Sequence, residues 1–162
     1  MEIFFSRSVP KYMQVYAHFC AHHLELDKLR GTIDLHLSRG TLEGDAYGLC
    51  WGDNREAEIH LGSIQWGKPI PVEDKLKTLG HEMVHARQYL RRELIARKDG
   101  IEKCVWKGEV CSFDMNDEEK EPWEVEARKL EESLYEKWNE MLVEKNITRS
   151  NLEALGELIP NL

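Results

Sequence analysis

Hydrophobic positions in the first third of the chain follow two different periods. Along residues 8–26 (SVPKYMQVYAHFCAHHLEL), Tyr12, Tyr16 and Phe19 recur at helical spacing, which predicts an amphipathic helix. Residues 31–37 (GTIDLHL) instead alternate between apolar and polar side chains, as a half-buried strand does. The segments AYGLCW and AEIHL have the composition of two more strands, and the intervening GDN predicts a tight turn between them.

The rest of the chain is predicted to be mainly helical. After a loop over residues 62–71, a long helix is expected from about Val72 to Ala96, and a second from about Pro122 to Lys145. The segment WKGEV predicts a short hairpin with Gly108 at its turn, and a short helix is expected near residues 150–158. The apolar stripe of the first long helix is Leu76, Leu79, Met83, Ala86 and Leu90, and that of the second is Trp123, Ala127, Leu130, Leu134, Trp138 and Met141.

The order of these elements predicts the fold class. One helix, three strands, a helix, a small hairpin and a helix follow one another, and strands that are separated in sequence from helices are typical of α+β proteins. A chain of 162 residues without a linker or repeat is expected to form a single domain over residues 1–162.

Composition limits the partners and the compartment. The net charge of -8 argues against direct binding to nucleic acid, which requires a basic surface. The chain has no apolar run of the length that a membrane span needs and no leader-like start, so we expect neither membrane insertion nor secretion. Four scattered cysteines fit reduced thiols, and the predicted location is the cytoplasm.

Two histidines stand four residues apart in the first long helix. In the sequence HEMVH, His81 and His85 project from one helical face, opposite the apolar stripe. Glu82 is rotated by about 100° from His81, where its carboxylate can reach a water on a metal held by the pair. Gly80 interrupts the helix and suggests the close approach of another backbone, plausibly a strand. The segment therefore predicts a zinc site with Glu82 as the general base.

A catalytic zinc ion needs a third protein ligand. No histidine follows His85, so a downstream carboxylate is the natural candidate, and the best place is the start of the second long helix. Glu124 and Glu126 both flank its apolar stripe, and helical periodicity does not choose between them. Glu124 is favoured because it lies in the first turn, near Pro122, and stands three residues before the small Ala127.

Together, HEMVHARQ and PWEVEA resemble the zincin-type metallopeptidases whose third ligand is glutamate, the gluzincins. The likeness covers roughly residues 31–140 and is closest to the small single-domain, SprT-like proteins of phage and bacterial genomes. It implies a small antiparallel sheet of about three strands whose edge flanks the cleft, then the helix with the histidines, then the ligand helix. It also implies hydrolysis of a protein or peptide substrate with bound Zn²⁺.

The chain departs from this family at two points. Where the family often has Asp or Asn four residues after the third ligand, this chain has Arg128, which has no acceptor, so some other carboxylate or a carbonyl must orient the imidazoles. The histidine that SprT-like proteins tend to use as third ligand is also absent.

Other interpretations stay open. The protein could be a zinc-stabilised binding or regulatory protein on the same scaffold, with little or no turnover. The substrate cleft is expected between the strand AEIHL and the histidine helix, where His60 could help stabilise an oxyanion, although an exposed strand histidine is the more ordinary interpretation. Cys104 and Cys111 have poor zinc-finger spacing.

Overall fold

Three helices and a four-stranded main sheet organise the described part of the chain. The computed structural model describes residues 1–96, 103–112, 120–148 and 151. The helices are α1 (Lys11–His23), α2 (Val72–Leu90) and α3 (Pro122–Glu144), and the strands of the main sheet are β1 (Glu2–Phe5), β2 (Thr32–Leu37), β3 (Gly48–Gly52) and β4 (Glu56–Leu61). The predicted α+β class is confirmed.

Two smaller sheets are formed within the described residues. Strands β5 (Ile64–Gln65) and β6 (Lys68–Pro69) form a small hairpin inside the segment predicted as a loop. Strands β7 (Leu94–Ala96), β8 (Lys103–Trp106) and β9 (Glu109–Ser112) form an antiparallel sheet. The predicted hairpin is β8–β9, and Gly108 lies at its turn with a φ of 90°. The helix expected near residues 150–158 lies outside the described residues.

The main sheet is mixed, so the expectation of a small antiparallel sheet of about three strands is wrong. Its order is β1-β2-β4-β3, in which β1 and β4 both run parallel to β2 and only β3 and β4 are antiparallel. The short β1 was not predicted. Strand β3 precedes β4 in sequence but lies outside it, and this leaves β4 free to pair directly with β2.

One face of the main sheet is buried against helices. Alternation along β2 and β4 turns Ile33, Leu35, Ile59 and Leu61 into the core, where each is at most 1% exposed. Helix α2 contacts both β3 and β4 on this side. The opposite face carries the alternate residues, and no described helix covers Phe4 or Trp51, which are 51% and 44% exposed.

The two long helices differ in how well their ends were predicted. Helix α3 begins at Pro122, as expected, and buries Trp123, Ala127, Leu134 and Trp138. Helix α2 ends at Leu90 rather than at Ala96, because residues Leu94–Ala96 pair with β8. No glycine or proline marks this end, and Arg92 makes the turn with a φ of 59°. No described helix combines the length and the apolar character needed to cross a bilayer.

Candidate metal centre

Three predicted ligands meet where α2 packs against the first turn of α3. The Nε2 atoms of His81 and His85 are 3.0 Å apart. Glu124 faces both histidines, with Oε2 3.2 Å from His81 Nε2 and Oε1 3.1 Å from His85 Nε2. Donor atoms around a tetrahedral ion at about 2.0–2.1 Å lie about 3.4 Å from one another. These three side chains therefore have the spacing that could hold one metal ion.

A buried amide fixes the orientation of His85. Gln88 is fully buried, and its Nε2 donates to the carbonyl oxygen of Trp123 and to Glu126 Oε2, at 3.1 Å and 3.0 Å. These two bonds point Gln88 Oε1 at His85 Nδ1, 2.8 Å away. Because an amide oxygen only accepts, His85 Nδ1 must carry the hydrogen. His85 therefore presents Nε2 to the shared centre.

A carboxylate performs the same task for His81. Glu131 Oε2 lies 3.2 Å from His81 Nδ1. An ionised carboxylate only accepts, so the hydrogen is again on Nδ1 and Nε2 points towards His85 and Glu124. Glu131 stands seven residues after Glu124, on the same face of α3. Because Arg128 stands where related proteins often have an orienting Asp or Asn, some other carboxylate or a carbonyl was expected to orient the imidazoles. Glu131 is such a carboxylate for His81.

The electrostatics of the cluster favour a positive charge at its centre. Burial works to lower the pKa of His81, but its hydrogen bonds with Glu124 and Glu131 outweigh burial and raise the pKa to about 10. Burial likewise works to raise the pKa of Glu124, yet its bonds with His81 and His85 lower it to about 2. The metal-free cluster thus holds a proton where three acceptor atoms converge, and a metal ion would replace that proton.

Glu82 lies beside the three ligands without joining them. Its side chain is 6% exposed, and burial raises its pKa to about 7 although positive charge on His85 and His81 acts in the opposite direction. The carboxylate rests against Gly48 of β3, where a Cβ would lie 2.6 Å from Glu82 Oε1 and from Thr78 Cγ2. Only a glycine leaves room for Glu82 in this position.

The second candidate carboxylate, Glu126, is directed elsewhere. Its Oε2 is 2.8 Å from Arg87 Nη2, and its Oε1 is 3.0 Å from Lys107 Nζ. The structure brings Glu124, and not Glu126, to the histidines, while Glu126 acts one step further out by holding Gln88.

A cleft of about 930 Å³ opens beside the cluster, with His81 and Glu82 in its wall. The helices α2 and α3 form two sides, and Tyr47 and Gly48 at the start of β3 form the rim. The expectation that the cleft lies between the segment AEIHL and the histidine helix is therefore wrong. That segment is part of β4, which lies inside the sheet between β2 and β3.

The positions expected for His60 and Gly80 are also wrong. His60 is on the outer face of β4, where it contacts Glu58 and Trp51, so it does not line this cleft. Gly80 was expected to face a neighbouring strand. It faces α1 instead, since a Cβ there would lie 3.0 Å from the hydroxyl of Tyr16.

Gln88, Glu131 and Gly48 were not predicted from the sequence. Gln88 follows His85 by three residues, which places both on one helical face, and this spacing was a usable signal. The position of Glu131 relative to Glu124 gave a similar signal on α3. Nothing local pointed to Gly48, because its contact with Glu82 joins residues far apart in sequence.

Comparison of the chain with protein-family models, with curated proteins and with solved structures finds no match in any of the three.

We expect Glu124→Ala and Glu126→Ala to separate a ligand from an outer partner. Loss of Glu124 should lower Zn²⁺ affinity by more than the roughly 10–100-fold that loss of an outer hydrogen-bond partner costs. Loss of Glu126 should cost about tenfold or less, because Gln88 keeps its bond to Trp123. Chelator competition on both purified variants measures this ranking, and the reverse order would show that the wrong carboxylate was chosen.

Glu131→Ala should weaken Zn²⁺ binding about 10–100-fold, because His81 loses the partner that fixes its tautomer. The matched control is Glu132→Ala, which removes the next glutamate of α3, also in the cleft wall. Chelator competition should give near wild-type affinity for the control. Equal losses in the two variants would mean that general negative charge, rather than the bond to His81, supports the metal.

Proposed function

We propose that this protein is a zinc-dependent peptidase, with zinc held by His81, His85 and Glu124 and with Glu82 as the general base. The observation that carries the proposal is the convergence of two imidazole nitrogens, 3.0 Å apart, on the Glu124 carboxylate, whose two oxygens lie 3.2 Å and 3.1 Å from them. A buried carboxylate, Glu82, lies beside them at the edge of a cleft. The zincin resemblance of the sequence agrees with it and adds a precedent for the chemistry.

The donor set supports zinc as the metal. Two imidazole nitrogens and one carboxylate are a frequent ligand set of catalytic zinc, which uses three protein ligands, whereas structural zinc sites use four. Both imidazoles also carry the outer hydrogen bonds that metal-binding histidines usually have, from His81 to Glu131 and from His85 to Gln88. Calcium and magnesium prefer all-oxygen sites, so this cluster does not suit them.

When bound, zinc supplies Lewis-acid chemistry, since it lowers the pKa of a coordinated water towards 7 and polarises a carbonyl group. The protein supplies the proton transfers. The carboxylate of Glu82 accepts a proton from the attacking water. Glu82 then delivers this proton to the nitrogen of the leaving amine, which balances the hydrolysis of the peptide bond. His81 and His85 are held in place by their Nδ1 bonds throughout. Burial keeps bulk water away from Glu82.

The free edge of β3 offers a place for an extended peptide. The backbone bonds Gly62 N–H to Tyr47 O and Asp53 N–H to Glu56 O pair the odd-numbered residues of this segment with β4. Such pairs alternate along an antiparallel ladder, so the N–H and C=O groups of Gly48 and Cys50 point to the opposite edge. No described strand pairs with that edge. A substrate strand could bond there and bring its scissile bond past Glu82.

Glu82→Gln should retain zinc and the fold while losing hydrolysis, because the amide keeps the shape of the side chain but cannot accept the proton. Activity is measured by incubating wild type and variant with a peptide library prepared from a whole proteome and identifying new termini by mass spectrometry. Undiminished cleavage by the variant would assign the base role elsewhere. Zinc binding without cleavage by the wild type would favour the alternative of a binding protein.

Gly48→Ala should keep zinc but lower the turnover number about 100-fold, the loss expected when a catalytic group moves by roughly 1 Å. The added methyl group would collide with the Glu82 carboxylate and with Thr78. Gly40→Ala is the matched control, since a Cβ at Gly40 meets nothing within 4 Å. Steady-state kinetics on the best library peptide, with zinc content measured in parallel, tests this. Unchanged turnover in Gly48→Ala would mean that the position of Glu82 does not limit catalysis.

A further inference from the structure

A second group of metal-ligating side chains lies on the outer face of the main sheet. It consists of His36 on β2 and of Glu58 and His60 on β4. The two strands are parallel neighbours, and their register places His36 directly opposite His60. The alternation of the strands turns all three side chains away from the helices. This cluster is part of neither the candidate metal centre nor the cleft beside it.

Three ligand atoms, one from each side chain, lie within 4.8 Å of one another. Glu58 Oε1 is 2.6 Å from His60 Nε2 and 3.8 Å from His36 Nε2. These two distances bracket the separation of about 3.4 Å between donor atoms around a tetrahedral zinc ion. Side-chain movements on the order of 1 Å would bring these donors to the spacing that one ion requires.

Neighbouring rings restrict the imidazole of His60. The ring centroid of His60 is 4.7 Å from that of His36 and 4.7 Å from that of Trp51 on β3. A ring between two others has less rotational freedom to lose when it binds an ion.

We propose that His36, Glu58 and His60 form a second binding site for a divalent transition-metal ion, of the Zn²⁺ or Ni²⁺ class. Neutral imidazole suits these ions, and one carboxylate balances part of their charge. The three side chains are 42%, 42% and 32% exposed, so the remaining coordination positions face solvent and can be filled by water.

The two sites cannot share an ion, because β4 separates them. Ile59 and Leu61 project into the core towards α2, while Glu58 and His60 project to the outer face. The second site is thus independent of the proposed peptidase function. An ion there would tie β2 to β4 and stabilise the folded state by mass action.

Counting bound zinc tests the proposal. The full-length protein is freed of metal, equilibrated with micromolar Zn²⁺ and analysed for metal content. Wild type should hold two zinc ions per chain, and His36→Asn/His60→Asn should hold one. The matched control is His22→Asn/His23→Asn, which removes another histidine pair near a carboxylate, Asp27, and should still hold two.

The same experiment separates this proposal from the proposed function. His81→Ala/His85→Ala should retain one ion, at the second site. If that variant binds none while His36→Asn/His60→Asn binds as much as wild type, the second site is overturned. If His81→Ala/His85→Ala binds as much as wild type and only the outer-face variant loses an ion, the metal centre of the proposed peptidase fails and the second site stands.

Trp51 provides a second, spectroscopic measurement of the same site. An open-shell ion bound beside His60 lies close to the indole of Trp51 and should quench its fluorescence. The titration uses His81→Ala/His85→Ala, because an ion at the first centre would lie near Trp123. Ni²⁺ should give saturable quenching in this variant, and the quenching should be lost when His36→Asn/His60→Asn or Trp51→Phe is added. Quenching that persists after His36→Asn/His60→Asn is added would overturn the site.

Discussion

The packing of α2 against α3 determines whether this protein has a metal centre, because the two histidines and the carboxylate come from different helices. Ala127 of α3 is fully buried, and such a small side chain allows helices to approach closely. Gln88 joins the same two helices through its bonds to Trp123 and Glu126, and its oxygen orients His85. Helix packing and imidazole orientation therefore depend on one buried amide, and a change that moves the helices apart also releases His85.

The charged side chains at this interface form a central cluster and an outer set of ion pairs. At the centre, three acceptor atoms converge and require a proton or a metal ion. One step further out, Glu126 accepts from Gln88 and pairs with Arg87 and Lys107. Truncating one partner of a buried ion pair leaves the other charge unpaired, which is far more costly than losing an exposed pair. The outer pairs thus keep Glu126 ionised and available to the amide that positions the ligand.

Local periodicity explains what the sequence could predict. The spacing of apolar residues located α1, α2 and α3, and the four-residue spacing of His81 and His85 placed both on one face, because these features depend on neighbouring residues. The direction of β4 was not predictable in this way, since its pairing with β2 depends on β3 occupying the outer edge. The end of α2 at Leu90 was missed because Leu94–Ala96 is held by β8, whose position the local sequence does not encode. The contact between Gly48 and Glu82 is of the same non-local kind.

The burial of Glu82 bears on whether the site is catalytic or structural. Burying a carboxylate costs free energy, and here the cost is visible as a pKa raised to about 7. A metal centre that only stabilised the fold would gain nothing from this residue, and an apolar side chain of similar size would be less costly there. The edge strand β3 also has a glycine at position 48, where a Cβ would lie 2.6 Å from Glu82 Oε1. The buried carboxylate of Glu82 and the glycine at position 48 are both locally unfavourable, and they lie together in the wall of the cleft. Their combination supports a role for Glu82 in proton transfer.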